Sequence, residues 1–226
     1  MIRLKNVSKT YPGNIVGLQN VNLHIRPGEF VSVVGQSGTG KTTLVKLLIS
    51  EERPTSGQIV IGGWDISSVR SSEVPLLRRQ IGVVFQDFKL LPKKTVYENV
   101  AFALEVAGVR SSRIRAIVPQ ALKIVGLTDK ADRFPRQVSG GEQQRVVIAR
   151  SLVHRPKIIV ADEPTGNLDS INTWEIIDLL RRINGFGTTV MLVTHNREVV
   201  NSLQRRVITI DRGLVVSDVE EGKYVL

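Results

Sequence analysis

The order of hydrophobic and polar residues changes its period several times along the chain, and each change indicates a structural element. Apolar and polar residues alternate over 2–7 and 18–25, which predicts two half-buried strands. Short apolar runs predict six further strands, at residues 30–34, 59–61, 81–85, 158–161, 189–193 and 207–210. Helical spacing of apolar residues predicts helices around 44–48 and over 174–183. Because strands alternate with helices, we expect an α/β fold with a largely parallel sheet covered on both faces.

The central stretch of the chain, residues 87–154, has helical spacing throughout. It predicts a helix over 96–107 that ends at Gly108, a second over 114–125 closed by Gly126, and a third over 142–153. Strand patterns flank this stretch on both sides, and no repeat or linker interrupts the chain. We therefore expect one domain over residues 1–226, with the sheets built from 1–86 and 155–226 and a helical subdomain over 87–154.

Composition excludes several classes of protein. The 226 residues include no cysteine, which excludes disulfides, thiol catalysis and cysteine-ligated zinc. The first residues lack the apolar core of a secretion signal, and no apolar run approaches the ~20 residues that cross a bilayer, so we expect a soluble, cytoplasmic chain. The net charge of +10 is compatible with nucleic acid, with nucleotide or membrane phosphates, and with ordinary solvated side chains. Charge alone does not decide between these partners.

A glycine-rich segment between the strand at 30–34 and the following helix fits the pattern G-x-x-x-x-G-K-[ST]. Glycines let backbone N–H groups surround an anion, and the helix that follows adds the positive end of its dipole. We expect Lys41 to bind the β and γ phosphates, the Thr42 hydroxyl to ligate Mg²⁺, and Thr43 to donate to a phosphate oxygen. The sequence thus predicts a nucleotide site that consists of Gly35, Gln36, Ser37, Gly38, Thr39, Gly40, Lys41, Thr42 and Thr43.

Two acidic residues, Asp162 and Glu163, end the apolar strand predicted at 158–161. Ligands of parallel sheets bind at the carboxyl ends of the strands. We expect Asp162 to hold the shell of Mg²⁺, and Glu163, on the opposite face of the strand end, to act as general base for the attacking water. Without the upstream glycine-rich segment, the pair would indicate only an ordinary exit from a strand.

With these motifs in this order, nearly the whole sequence resembles the nucleotide-binding subunits of ABC transporters. The resemblance implies a P-loop NTPase fold of ABC type, with a RecA-like core of mostly parallel sheet, an antiparallel β subdomain and an inserted helical subdomain. It also implies ATP as substrate, Mg²⁺ as cofactor and ATP hydrolysis as the reaction, with Lys41, Glu163 and His195 as catalytic residues. The family's signature segment is matched by Ser139, Gly140, Gly141, Glu142 and Gln143, and in the family it faces ATP held by a second copy.

Further positions match the family one by one. The resemblance implies that Gln86 contacts Mg²⁺ near a membrane partner, and that Asn167, Leu168 and Asp169 join the two sites of a dimer. It implies that His195 contacts the γ-phosphate and that Tyr11 stacks on adenine. Taken singly, His195 is compatible with any histidine at a strand end, and Tyr11 with any surface aromatic.

The segment 82–100 resembles the branch of the family that acts in bacterial cell division, whereas 161–169 is also similar to lipoprotein-release and macrolide-export ATPases. Our hypothesis is a head-to-tail homodimer on the cytoplasmic face of the membrane that drives an integral membrane subunit and so regulates cell-wall hydrolysis. Contact with anionic lipid is a further expectation, and nucleic acid is not expected. The alternatives are an exporter ATPase and a nucleic-acid-associated ABC ATPase. Against the last, the stretch between Gln86 and Ser139 is too short for the coiled-coil arms of the DNA-repair type.

The chain departs from the family pattern at Val138, where leucine is usual, and at Asn196, where aspartate is common.

Overall fold

The computed structural model describes residues 1–224, in which two sheets and seven α-helices form. The strands are β1 (Ile2–Tyr11), β2 (Ile15–Ile25), β3 (Phe30–Val34), β4 (Ser56–Ile61), β5 (Trp64–Asp65), β6 (Ile81–Phe85), β7 (Ile158–Asp162), β8 (Thr189–Val193), β9 (Arg206–Asp211) and β10 (Leu214–Val219). The helices are α1 (Lys41–Leu48), α2 (Val74–Gln80), α3 (Val96–Val106), α4 (Ser111–Ile124), α5 (Gly140–Leu152), α6 (Ser170–Gly185) and α7 (Arg197–Leu203). Short 3₁₀ turns lie at Thr128–Lys130 and Pro135–Gln137.

The larger sheet has six strands in the order β10-β9-β3-β8-β7-β6. Every pair in it is parallel except the β9–β10 edge pair, so the predicted parallel core is confirmed. Every residue of β3 and β8 is buried, as expected for strands covered on both faces. One hydrophobic cluster lies on the side of α5 and α6, and another on the side of α1.

The smaller sheet is antiparallel, with the strand order β2-β1-β4-β5, and it corresponds to the β subdomain that the resemblance implies. The alternation of β1 buries Ile2 and Leu4 in the same cluster as Leu44 and Leu48 of α1. Packing of this sheet on α1 fixes the β1–β2 hairpin beside the loop that precedes the helix.

The helices predicted in the central stretch are confirmed, and local signals set their ends. Thr95 begins α3 with a capping box, in which its side chain accepts from the Glu98 N–H and the Glu98 carboxylate accepts from the Thr95 N–H. After α4, the N–H of Gly126 bonds to Lys123 and that of Leu127 to Leu122, the pattern of a Schellman motif. Helices α3, α4 and α5 then pack on one another in a single cluster.

Four elements do not follow from the hydrophobic pattern: β5, α2, α7 and β10. The two helices have seven residues each, and α2 buries only Leu77, so neither shows a clear period. Strand β10 is an edge strand without a buried residue, so it has no apolar alternation to find. Among residues 1–224, no helix is both long and apolar enough to cross a membrane.

Candidate nucleotide-binding site

The glycine-rich segment forms a tight loop between the end of β3 and the start of α1. Gly40 caps α1 in a left-handed conformation with φ of 111°, and a Cβ there would lie 2.4 Å from the carbonyl oxygen of Gly17. Thr39 closes the loop, because its hydroxyl donates to the Gln36 carbonyl at 2.9 Å. Only glycine fits at position 40. Its left-handed conformation lets the loop turn directly into α1, so the backbone N–H groups of the loop lie at the start of the helix.

The Lys41 side chain is buried under this loop. Its Nζ donates to the carbonyls of Gly35 and Gln36, both at 2.7 Å. Burial lowers the pKa of Lys41, and the Glu163 and Asp162 carboxylates oppose that change. An ammonium has three N–H bonds, so Lys41 retains one to donate to an anion above the loop.

The Asp162 carboxyl ends β7 opposite Phe85 of β6. Burial and the neighbouring Glu163 raise its pKa, while Lys41 and Lys89 act in the opposite direction. A cation beside it would therefore stabilise the ionised carboxylate.

Glu163 lies immediately beyond β7, in a left-handed conformation with φ of 48°. Its Oε1 is 2.6 Å from Nδ1 of His195, and its Oε2 accepts from the Thr194 hydroxyl at 3.2 Å. Glu163 also lines a second pocket, against Thr173 and Trp174 of α6, that Asp162 does not line. Both carboxyl groups line one cleft.

That cleft has a volume of about 630 Å³ and collects most of the predicted site residues. The predicted residues that line it are Tyr11, Gln36, Ser37, Gly38, Gly40, Lys41, Thr42, Thr43, Gln86, Asp162, Glu163 and His195. Gly35 and Thr39 belong to the loop but do not line the cleft. The motifs missed Ile15, Val16, Gly17 and Tyr224, which also line it. An exposed apolar pair at a hairpin, Ile15 and Val16, is a sequence signal that would have found two of them.

The oxygen donors in this cleft fit Mg²⁺. The Thr42 hydroxyl, the Gln86 amide and the Asp162 carboxylate all line it, and Mg²⁺ prefers oxygen ligands. Within residues 1–224 no group of three or more His, Cys, Asp or Glu side chains forms a metal cage. Mg²⁺ usually binds through one or two carboxylates together with waters and substrate phosphates, so an incomplete donor set beside a phosphate loop suits it.

Gln86 also contacts the segment predicted to join two sites. Its Nε2 donates to Oδ1 of Asn167 at 3.2 Å, and Nδ2 of Asn167 donates to the Gln86 carbonyl at 3.3 Å. These residues lie far apart in the sequence, and the Asn167 side chain binds both the side chain and the backbone carbonyl of Gln86.

The signature segment lies outside the cleft of its own chain, since none of Ser139, Gly140, Gly141 and Glu142 lines it. Ser139 begins α5 with a capping box: its Oγ accepts from the Glu142 N–H, and the Glu142 carboxylate accepts from the Ser139 N–H. The Asn172 side chain of α6 lies against Gly141.

Asp169, which also lies outside the cleft, caps α6. Its carboxylate accepts from the backbone N–H of Asn172 at 2.9 Å and from the Asn172 side chain at 2.6 Å. These bonds hold the pKa of Asp169 below its usual value. Asn172 therefore connects the signature segment to the end of the 167–169 segment.

Comparison with known proteins identifies the family. Residues 18–166 match the family model described as ABC transporter, so the chain belongs to the ABC transporter family and is an ATPase of that class. The chain is 53% identical to the cell division ATP-binding protein FtsE of Bacillus subtilis, over 99% of this chain and 98% of that protein. It is 49% identical to FtsE of Mycobacterium tuberculosis, over 99% and 98% of the two chains. For FtsE of Escherichia coli K12 the identity is 48%, over 94% and 96%. Within the family, the chain therefore belongs with the FtsE proteins.

Solved structures agree with the assignment to the ABC transporter family. The ATP-binding cassette MJ0796, described as dimeric in a post-hydrolysis state with ADP and Pi, superposes with a TM-score of 0.88 at 38% identity. The match covers 99% of this chain and 100% of that one. A second dimeric structure of the same cassette gives a TM-score of 0.87 at 39% identity, with the same coverage.

Proposed function

We propose that this chain is the ATP-binding and ATP-hydrolysing subunit of a bacterial cell-division complex, and that it works as a head-to-tail homodimer. The observation that carries the proposal is the separation of two phosphate-binding elements. One cleft holds the loop, Lys41, Asp162, Glu163 and His195, whereas the signature segment lies outside that cleft. The N-terminus of α5 binds anions in the same way as that of α1, so it completes the cleft of another copy.

Within one chain, each side chain has a defined task. Lys41 binds the β and γ phosphates from beneath, and the hydroxyl of Thr43 donates to a phosphate oxygen. Thr42, Gln86 and Asp162 would hold Mg²⁺, which neutralises charge on the transferred phosphoryl group. The carboxylate of Glu163 takes the proton of the attacking water, and Thr194 and His195 orient that carboxylate by hydrogen bonds.

The second chain supplies Ser139 and Gly141 to the γ-phosphate. The charge on that phosphate holds the two chains together, and hydrolysis removes the shared contact and weakens the closure. The dimeric descriptions of the MJ0796 structures support this arrangement.

A test of the exchanged arrangement uses two variants that are each inactive. Ser139→Asp keeps an N-cap, because aspartate caps helices as well as serine does, but its carboxylate repels the phosphate. Lys41→Ala removes the loop cation. In a mixed dimer, one site combines the intact cleft of the Ser139→Asp chain with the intact signature segment of the Lys41→Ala chain. Mixing the two proteins should therefore restore ATPase activity that neither shows alone.

One control variant sharpens that mixing experiment. Ser139→Asn keeps the cap without the charge and should retain more activity than Ser139→Asp. A mixture that stays as inactive as its components, although the variants co-assemble, would contradict the exchange of signature segments between copies.

The proposed partner is an integral membrane subunit resembling FtsX, which holds the chain at the cytoplasmic face of the membrane and passes its motion to cell-wall hydrolysis. A groove of about 270 Å³ lies between α2, α3 and the end of α5, at the start of the strand that leads to Gln86. Arg78 and Arg79 give it positive charge, and Val106, 71% exposed, gives it an apolar wall. This chemistry suits a cytoplasmic segment with an apolar and an acidic side chain. The excess of basic residues supports contact with anionic lipid beside that subunit.

We expect Val106→Asp to reduce co-purification with the membrane subunit while the ATPase rate of the isolated chain stays unchanged. The substitution puts a charge into the apolar wall of the groove without burying it in the fold. Phe186→Asp is the matched control, because Phe186 is also an exposed apolar residue (87%) but lies outside the groove. Equal losses for the two variants would argue against docking in the groove.

The relatives do not favour the exporter alternative, because FtsE proteins of three bacteria match the chain at 48–53% identity over nearly their full length.

A further inference from the structure

We infer that Lys9 is a positioning residue for the nucleotide base, because it holds the Tyr11 ring at the apolar end of the cleft. The inference rests on the proposed function, in which ATP occupies that cleft with its adenine against Tyr11. Neither the motifs nor the family resemblance singles out Lys9.

The Lys9 ammonium is fixed by two partners. Its Nζ lies 2.7 Å from Oε2 of Glu52 and 2.9 Å from the carbonyl of Arg53, and the side chain is only 13% exposed. The same Nζ lies 5.0 Å from the centroid of the Tyr11 ring, within the range of a cation–π contact. An anchored cation therefore attracts the ring to one place.

Two other contacts limit where the ring can lie. The Tyr11 hydroxyl is 3.4 Å from Oγ1 of Thr43 in α1. Gly17 of β2 leaves room for the ring edge, since a Cβ there would lie 2.9 Å from Cε2 of Tyr11. The Tyr11 ring, which lies between the Lys9 ammonium, Thr43 and Gly17, thus connects both strands of the β1–β2 hairpin to α1.

Lys9 acts through the ring and not on the ligand. Tyr11, Ile15, Val16 and Gly17 line the cleft, but Lys9 does not. A ring held in place before binding loses less freedom when a purine stacks on it, so the contact raises affinity for the base through preorganisation. It adds nothing to the binding of phosphates at Lys41.

The test compares ATP with inorganic triphosphate, both with Mg²⁺. Lys9→Met keeps the length of the side chain but removes the cation, and we expect it to raise the KM for ATP about fivefold with kcat unchanged. The affinity for inorganic triphosphate should not change, because that probe has no base. Lys9→Arg retains a cation and should restore the KM.

Matched variants separate this role from a structural one. Lys46→Met removes another paired lysine, 3.8 Å from Glu51, that contacts no ring, and it should leave the KM unchanged. Glu52→Gln keeps Lys9 but weakens its anchor, so it should give a smaller increase in KM. In a Tyr11→Ala background, Lys9→Met should cause no further loss. Melting temperatures measured alongside identify any variant that is simply unstable.

The outcomes distinguish the inference from the proposed function. An unchanged KM in Lys9→Met, an equal loss of triphosphate affinity, or a full further loss in the Tyr11→Ala background would overturn the role of Lys9. If Lys41→Ala lost nucleotide affinity in the same experiments, the proposed function would stand even though the role of Lys9 had been rejected. Failure of the parent protein to bind ATP would instead reject the proposed function.

Discussion

Glu163→Gln should lower ATP turnover by about two to four orders of magnitude, because an amide cannot take the proton of the attacking water. The change conserves the size of the side chain, and the amide can still hydrogen-bond with His195. ATP should remain bound, so the shared γ-phosphate persists and dimers accumulate. Phosphate release measures turnover, and sedimentation with and without Mg-ATP measures the dimer.

A control carboxylate is available on α6. Glu175 pairs with Arg145 at 2.5 Å outside the cleft, so Glu175→Gln should leave turnover unchanged. A Glu163→Gln protein that hydrolyses ATP at the parent rate would remove Glu163 from the role of base. A hydrolysis-dead protein that stays monomeric with Mg-ATP, with or without the membrane subunit, would contradict the dimer mechanism.

Lys41→Ala should weaken Mg-ATP binding by at least about 100-fold, because it removes a charge-assisted bond to the phosphates. The substitution also removes the two bonds that Nζ makes to the carbonyls of Gly35 and Gln36, so the loop loses its internal tie. Titration with Mg-ATP, followed by calorimetry, measures the loss.

Lys46 provides the comparison for that prediction, since it lies on the same helix but pairs with Glu51 outside the cleft. Lys46→Ala should bind Mg-ATP as the parent protein does. Undiminished ATP binding by Lys41→Ala would contradict the assignment of the loop as a phosphate site.

The sequence predicts an element well when burial is uniform along it. The bounds predicted for the strands at 30–34 and 189–193 agree with β3 and β8, in which every residue is buried. The bounds at 81–85 also agree with β6, an edge strand with two half-buried residues. The first strand continues to Tyr11, beyond the predicted end at residue 7. The sequence pattern misses this extension because register shifts after Leu4 interrupt the alternation of buried and exposed residues. Such bulges depend on the partner strands, which the local pattern does not contain.

The residues of the candidate site also divide into those that local motifs predict and those that only tertiary packing brings together. The phosphate loop and the acidic pair follow from local motifs, because their chemistry needs fixed residue types at fixed spacing. The contact of Tyr224 with the cleft, and the exchange between Gln86 and Asn167, join residues from distant parts of the chain. Only the packing of the whole domain brings these residues together, so no local pattern reveals them.

Two asparagines link the signature segment to Gln86. Asn172 lies against Gly141 and is bonded to Asp169, while Asn167, at the other end of the same short segment, is bonded to Gln86. A displacement of the signature segment would therefore reach Gln86, one of the residues proposed to hold Mg²⁺. If two copies share their sites as proposed, these hydrogen bonds would couple one site of the pair to the other.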